Sequence, residues 1–306
     1  MTEYDICVRV PATSANLGPG FDVMGLALSL YNEIYFKRND GTSEIKIECY
    51  GAGREDISLD FEDNLIGKMM KQAAEKSGKS LPGGTLTLVN SIPVSRGLGS
   101  SAAAIVGGLV LANELLGAPL AEQDILDLAT AEEGHPDNVV PAYLGGLCVS
   151  GRCGERVWHQ KVEVPESLSF VTVSPDCKLS THEARKVLPA AILHQEAVQN
   201  VSRAVLLLLS VMRGQYEWIQ EAFQDNLHVP YRIGLIPKGQ ETIDAALQAG
   251  ALGATISGSG STMIAVTNGK EEAVLQAMKA AMEESGYAVE GHILHVPASG
   301  VLLDKP

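Results

Sequence analysis

Apolar and polar residues alternate over Ile6–Val10, Ile34–Lys37, Ile45–Tyr50 and Thr85–Val89, with Ile45, Ile47 and Cys49 on one face. A period of two is what a half-buried strand requires, so four strands are predicted there. Between the third and fourth the period lengthens. Ile66, Met69, Met70 and Ala73 recur at helical spacing behind Asn64, whose short amide suits an N-cap, and a helix over Leu65–Ser77 follows. Further helices are predicted over Ser101–Leu116 and Ala121–Glu133. After the Gly145-Gly146 turn the order changes. A strand at Ser169–Val173 precedes a long helical region, Ala190–Ala249, broken near Gly214 and Pro230. Strands Ala254–Ser257 and Met263–Thr267, a helix Glu271–Ser285 and a strand Glu290–His295 close the chain. With the helical region counted as one crossover, this is the βαββαβ order of a ferredoxin-like domain. No internal repeat or low-complexity segment interrupts it.

Length supports two cores, since 306 residues at 45% hydrophobic composition exceed what one core usually holds. The change of pattern puts the boundary near Ser150–Trp158, with residues 1–156 and 157–306 as the expected units and an α+β class overall. A net charge of −14 argues against nucleic-acid or anionic-membrane partners. An anionic small molecule remains compatible if a few arginines or backbone N–H groups converge on it. The 5 cysteines are scattered and form no CxxC pair, which fits reduced thiols in a cytoplasmic protein. Met1–Asp5 has no leader character, and the longest apolar run, Ala204–Met212, is too short to span a bilayer.

The most informative stretch is Pro93-Val94-Ser95-Arg96-Gly97-Leu98-Gly99-Ser100-Ser101-Ala102-Ala103, between a predicted strand and a predicted helix. Glycines let the backbone turn its N–H groups inward, and a helix N-terminus adds free donors and a favourable dipole. An N-cap loop would explain Ser100 and Ser101 but not two glycines, an arginine and the small residues together. A dinucleotide fingerprint fits formally from Gly97 to Ala102, yet no strand ending in an acid follows about 20 residues on. A triphosphate cradle remains, and it is not a Walker A loop, since no GxxxxGK[ST] occurs.

This segment resembles the phosphate-binding motif of the GHMP kinases, the superfamily of galactokinase, homoserine kinase, mevalonate kinase and phosphomevalonate kinase. Two more segments match in the family's order: Pro11-Ala12-Thr13-Ser14-Ala15-Asn16-Leu17-Gly18-Pro19-Gly20-Phe21-Asp22, and Gly253-Ala254-Thr255-Ile256-Ser257-Gly258-Ser259-Gly260-Ser261-Thr262. The early segment and Gly134-His135-Pro136-Asp137-Asn138-Val139 are similar to the homoserine branch in particular. The resemblance implies a ribosomal protein S5 domain 2-like α/β domain followed by a ferredoxin-like α+β sandwich. It also implies ATP with Mg²⁺ as phosphoryl donor, L-homoserine as acceptor, a place in L-threonine biosynthesis, and a homodimer.

Phosphoryl transfer needs positioning and charge neutralisation more than covalent chemistry. Glu132 and Glu133 oppose the dipole at a predicted helix end, so either could hold a cation; the resemblance favours Glu133, with Ser100 preferred over Ser101 as the hydroxyl ligand. A zwitterionic amino acid needs an acid for its ammonium and arginines for its carboxylate. By resemblance Asp22 faces the ammonium, Arg185 and Arg232 bind the carboxylate, and Asn16, Asn138, Thr181 and Gly258 complete the substrate positions, with His135 adjacent. Asn138 stands where mevalonate kinase places an acid, so Asn138, Glu133 and Arg232 are expected to act by positioning and electrostatics, without a side-chain base. Two other readings stand beside this one: another GHMP kinase, for mevalonate or a sugar, and a non-catalytic nucleotide-binding regulator.

Overall fold

The computed structural model describes residues 3–39 and 41–306. The first half contains β1 (Ile6–Ala15), β2 (Met24–Arg38), β3 (Ile45–Gly51), α1 (Leu65–Ser77), β4 (Gly84–Asn90), α2 (Ser100–Leu115), α3 (Glu122–Glu133), α4 (Pro136–Leu144), β5 (Leu147–Cys153) and β6 (Arg156–Val162). The second contains β7 (Ser169–Pro175), α5 (Thr181–Lys186), α6 (His194–Arg213), α7 (Ile219–Ala222), α8 (Val229–Arg232), α9 (Gly239–Gln248), β8 (Gly253–Ile256), β9 (Met263–Thr267), α10 (Glu271–Glu283), β10 (Val289–Leu294) and β11 (Leu302–Asp304).

The first sheet runs β11-β1-β2-β4-β3. Its long strand β2 pairs β1 along one edge, while its other edge is shared by β4 at Glu33–Arg38 and β5 at Met24–Leu26. β3 and β4 are parallel, as a strand pair joined through a helix can be. That helix, α1, starts where Asn64 Oδ1 accepts from Ile66 N at 2.9 Å and ends at Gly78 in the left-handed region. α2 packs against it so closely that a Cβ at Gly108 would sit 2.8 Å from the Ile66 carbonyl oxygen, which explains the small residues of α2.

The second sheet runs β10-β7-β9-β8, all antiparallel, the ferredoxin-like order predicted from βαββαβ. β7 is buried on both faces. Phe170 joins the large core around α2, whereas Val171 and Val173 join a second core beneath α9 and α10.

Several elements differ from the sequence pattern. β1 runs to Ala15 rather than Val10, because Pro11 lies at a register shift that spares its missing N–H and because Ala12, Thr13 and Ser14 are fully buried rather than alternating. The segment after Gly134 forms α4, despite Pro136 and Pro141, since Pro136 takes the first helical turn where no N–H is needed. The β5–β6 hairpin and β11 have no distinct sequence signal. The single crossover region Ala190–Ala249 is a chain of shorter helices beginning at Thr181. The expected 156/157 division falls within β6, all of which pairs with β5, and β11 returns to pair with β1 in the first sheet.

Candidate active site

The phosphate-loop segment leads from β4 into α2. Gly99 caps the helix at φ 71° and packs against β1 with no room to spare: a Cβ there would lie 1.9 Å from Thr13 Oγ1. Gly97, at φ 81°, meets the third motif in the same way, with a Cβ falling 2.2 Å from the Ser257 carbonyl oxygen. Ser257 Oγ donates to the Gly97 carbonyl at 2.7 Å and lies 2.8 Å from Ser14 Oγ. The three motifs are thus stitched together, and the loop is left open on the side where the first N–H groups of α2 emerge. Of the loop residues, Val94, Ser95, Arg96, Gly97, Gly99, Ser100, Ser101 and Ala103 line a cavity of about 470 Å³. Leu98 and Ala102 point the other way into the core, and Pro93 stands beside the cavity rather than on its wall.

Gly134 ends α3 in the left-handed region, so that Glu133 and His135 on either side of it both line this cavity. Glu133 accepts from Ser101 Oγ at 2.9 Å, while Glu132 turns outward to Gln72. The hydroxyl nearest Glu133 is therefore that of Ser101, with Ser100 close by on the cavity wall. Burial raises the Glu133 carboxyl above its usual range, against the opposing effects of His135 and Ser101. A carboxylate and a hydroxyl at a helix N-terminus suit a hard divalent cation that also takes phosphate oxygens. Among the described residues, no group of three or more His, Cys, Asp or Glu forms an all-protein metal cage.

Asn138, in the first turns of α4, accepts from Thr13 Oγ1 at 2.8 Å. That contact holds the carboxamide oxygen toward Thr13 and so turns the amide N–H₂ elsewhere. Asp137 is buried and its Oδ1 lies 2.6 Å from His135 Nδ1. Burial alone would lower the His135 pKa, but the hydrogen bond and charge of Asp137 outweigh it and raise it.

Across the cavity lies a cationic wall. The turn after β1 carries Asn16 and Asp22 at φ 73° and 57°, conformations that Asn and Asp tolerate better than most side chains. Asn16 Oδ1 accepts from Asp22 N at 3.0 Å and its Nδ2 donates to the Gly258 carbonyl at 2.8 Å. Asp22 and Arg185 form a bidentate pair at 2.7 and 3.1 Å, and that pair raises the Arg185 pKa. Arg232 is buried, donating from Nε to the Ala184 carbonyl at 3.0 Å and from Nη1 to the Gly258 carbonyl at 3.2 Å. Burial, then the neighbouring Arg185, pushes its pKa down to about 10, which leaves it charged at neutral pH. Both guanidinium groups stand over the Phe21 ring, at 5.1 Å for Arg232 and 5.5 Å for Arg185, and Phe21 stacks on His228. His228 Nε2 lies 3.0 Å from the Gly18 carbonyl, and burial depresses its pKa.

Asn16, Asp22, Glu133, His135, Asn138, Thr181, Arg185, Arg232 and Gly258 all line the one cavity that the phosphate loop also lines. Residues from Asn16 to Gly258 in sequence thereby converge on it. Sequence reading missed Phe21 and His228, which shape the arginine wall, and the polar groups Asp63, Asn64 and Asn90, which also line the cavity. Asn64 carried a signal, as an N-cap, that concealed its second exposure to the cavity.

Two family models match the chain, GHMP kinases N terminal domain over residues 64–146 and GHMP kinases C terminal over residues 207–284. The chain belongs to the GHMP kinases. A homoserine kinase of Carboxydothermus hydrogenoformans is 45% identical over 95% of this chain and 93% of its own length, and one of Clostridium kluyveri is 43% identical over 89% of each. The crystal structure of homoserine kinase from Cytophaga hutchinsonii superposes with a TM-score of 0.89 at 29% identity, covering 99% of both chains. A mevalonate kinase of L. major, in complex with R-mevalonate, has a TM-score of 0.73 at 15% identity over 98% of each chain, a likeness of fold alone. No helix among the described residues is long and apolar enough to cross a membrane.

Proposed function

We propose that the protein is a homoserine kinase, transferring the γ-phosphoryl group of ATP to the side-chain hydroxyl of L-homoserine to give O-phospho-L-homoserine and ADP, a step toward L-threonine in the cytoplasm. The observation that carries this reading is the juxtaposition, in one cavity, of an anion cradle at the α2 N-terminus and an Asp22–Arg185–Arg232 wall matched to a zwitterion. The homoserine kinase relatives, similar over nearly the whole chain, support it.

In this reading the triphosphate lies along Val94–Ala103, its negative charge met by backbone N–H groups and the helix dipole. Glu133 and Ser101, with Ser100 as the neighbouring hydroxyl, would hold Mg²⁺, which when bound neutralises charge on the phosphate oxygens. The homoserine ammonium goes to Asp22 and its carboxylate to Arg185 and Arg232, so the Asp22–Arg185 pair opens as the substrate's own charges replace each partner's. Asn16, Thr181, His135 and Gly258 border that position. Asn138, anchored by Thr13, holds the hydroxyl in line with the γ-phosphorus. Asp137 is engaged by His135 and does not act as the base; as the O–P bond forms and the bond to ADP breaks, the hydroxyl proton passes to an oxygen of the arriving phosphoryl group and from there to solvent. We divide the chain at the 163–168 connector, with residues 302–304 returning to the nucleotide-binding part.

The test is coupled ADP release with homoserine, mevalonate, galactose and no acceptor. Turnover with homoserine alone is expected. Turnover with mevalonate or galactose would replace the substrate assignment, and ATP binding without turnover would make the chain a regulator.

A further inference from the structure

α5 is 6 residues long, fewer than two helical turns, and a helix so short has no stability of its own. It nonetheless carries Thr181 and Arg185, so its place must be set from outside. The segment that leads into it from β7, Asp176–Ser180, has no regular structure either. What fixes that segment is a row of contacts along it. Asp176 forms an ion pair with the Arg96 guanidinium. The Cys177 carbonyl accepts from Ser261 Oγ. Lys178 Nζ donates to the two carboxylate oxygens of Asp56 at 2.8 and 2.6 Å, and Leu179 N donates to the Ser95 carbonyl at 3.2 Å. Ser180 then caps α5, accepting from Glu183 N at 3.1 Å.

Ser95 and Arg96 belong to the glycine loop, Ser261 to the third motif, and Asp56 to the cavity wall after β3. The Arg96 side chain is 9% exposed; its Nη2 meets Asp176, and its Nη1 has no hydrogen-bond partner among the described residues. A guanidinium so enclosed needs its acid, which holds Asp176 in place. The dependence runs one way. The glycine loop is also held without the segment, since the Arg96 carbonyl accepts from Thr262 N at 2.9 Å and the Gly97 carbonyl from Ser257 Oγ at 2.7 Å. Past Ser180, the polar anchors of α5 among the described residues are the Asp22–Arg185 pair and Arg232 Nε on the Ala184 carbonyl at 3.0 Å. Both lie in the acceptor site, and the first gives way when an acceptor takes up the charges of Asp22 and Arg185. From then on the seat of α5 decides where Arg185 stands.

We propose that Asp176 and Lys178 are positioning residues for the acceptor: they suspend α5 from the glycine loop and from Asp56, and so set where Arg185 stands relative to the triphosphate. Neither lines the cavity, so neither touches a substrate. The inference rests on the homoserine kinase reading above.

Steady-state ADP release, with L-homoserine and ATP varied in turn, tests this for Asp176→Asn, for Lys178→Met and for each combined with Arg185→Leu. The two side chains are 73% and 55% exposed, so both single variants are expected to fold, with unchanged far-UV circular dichroism spectra. Loss of one tether is expected to raise the homoserine KM about fivefold in D176N and about threefold in K178M, as for partly exposed ion pairs, with kcat and the ATP KM each within about twofold. D176E and K178R, which keep the charges, are expected to retain the wild-type homoserine KM. Beside Arg185→Leu, either substitution is expected to change kcat/KM for homoserine by less than about twofold, because the group being positioned is gone. An unchanged homoserine KM in both single variants, an equal rise in the ATP KM, or an effect undiminished beside Arg185→Leu would each overturn the proposal. A wild-type protein that does not turn over homoserine would remove the homoserine kinase reading, and this inference with it.

Discussion

Thr13→Val replaces one hydroxyl of the site by a methyl group while nearly keeping its shape. Thr13 is fully buried, and the bond lost is its 2.8 Å donation to Asn138 Oδ1. A neutral hydrogen bond of that length contributes about 1 kcal/mol, so the Asn138 amide should hold its working orientation about fivefold less strongly. Asn138→Ala removes the amide itself, and the loss of one donor aimed at a transferring group costs about a hundredfold in kcat. The expected result is a kcat for T13V lowered several-fold, with the ATP KM within a factor of about two, because the hydrogen bond that ties Thr13 to the glycine loop is a backbone one, from Thr13 N to the Leu98 carbonyl at 3.1 Å, and survives the substitution. Steady-state ADP release at saturating substrates, with nucleotide affinity by calorimetry, gives both quantities. The double variant T13V/N138A decides the matter, since a positioning residue has nothing left to position once Asn138 is gone. If the effect of T13V persists undiminished in the N138A background, Thr13 acts by another route and the assignment of Asn138 as the oriented group fails with it.

Three other outcomes follow from the same geometry. Arg185→Leu should raise the homoserine KM at least tenfold while leaving the ATP KM nearly unchanged, and should cost little stability because the Asp22–Arg185 pair is 37% exposed on both sides; an equal rise in both constants would remove Arg185 from the acceptor site. Glu133→Gln should increase the Mg²⁺ concentration needed for half-maximal rate without altering the thermal midpoint of the metal-free protein by more than a few degrees, whereas an unchanged Mg²⁺ dependence would leave the ion to the nucleotide alone. His228 is buried neutral with a depressed pKa, so the unfolded chain binds its proton first as pH falls. Stability from this group is complete above the ordinary histidine value of about 6.5 and is lost below it, toward the folded-state pKa, and urea midpoints at pH 7.5 and 5.5 should differ less in His228→Gln than in the wild type. An identical pH dependence in the two proteins would show that His228 does not titrate on unfolding.

Much of the fold was legible because its signals are local. The helix over Leu65–Ser77 declared itself through an N-cap and a 3.6-residue period, and the βαββαβ order of the second half survived into the observed β10-β7-β9-β8 sheet. The glycine loop was readable for the same reason: left-handed backbone at Gly97 and Gly99 limits which residues can stand there, whatever the rest of the chain does. The site residues were legible only through resemblance, since a single arginine such as Arg185 has no pattern separating it from a surface charge.

The sequence by itself therefore determined the glycine-serine loop, the helix over Leu65–Ser77 and the α+β class, the first two set by interactions within a few residues. Tertiary structure alone decided which residues face one another. It extended β1 to Ala15, where burial on both faces erases the alternation a half-buried strand would display. It returned β11 to the edge of the first sheet, a pairing between chain ends that no local preference encodes. It chose Ser101 over Ser100 as the partner of Glu133 by the phase of α2, and it set Phe21 beneath two arginines drawn from different helices. Those contacts join segments separated by anything from 32 residues, as in Ser101–Glu133, to almost the whole chain, as in β1–β11, and packing is a property of the assembled core rather than of any stretch of sequence.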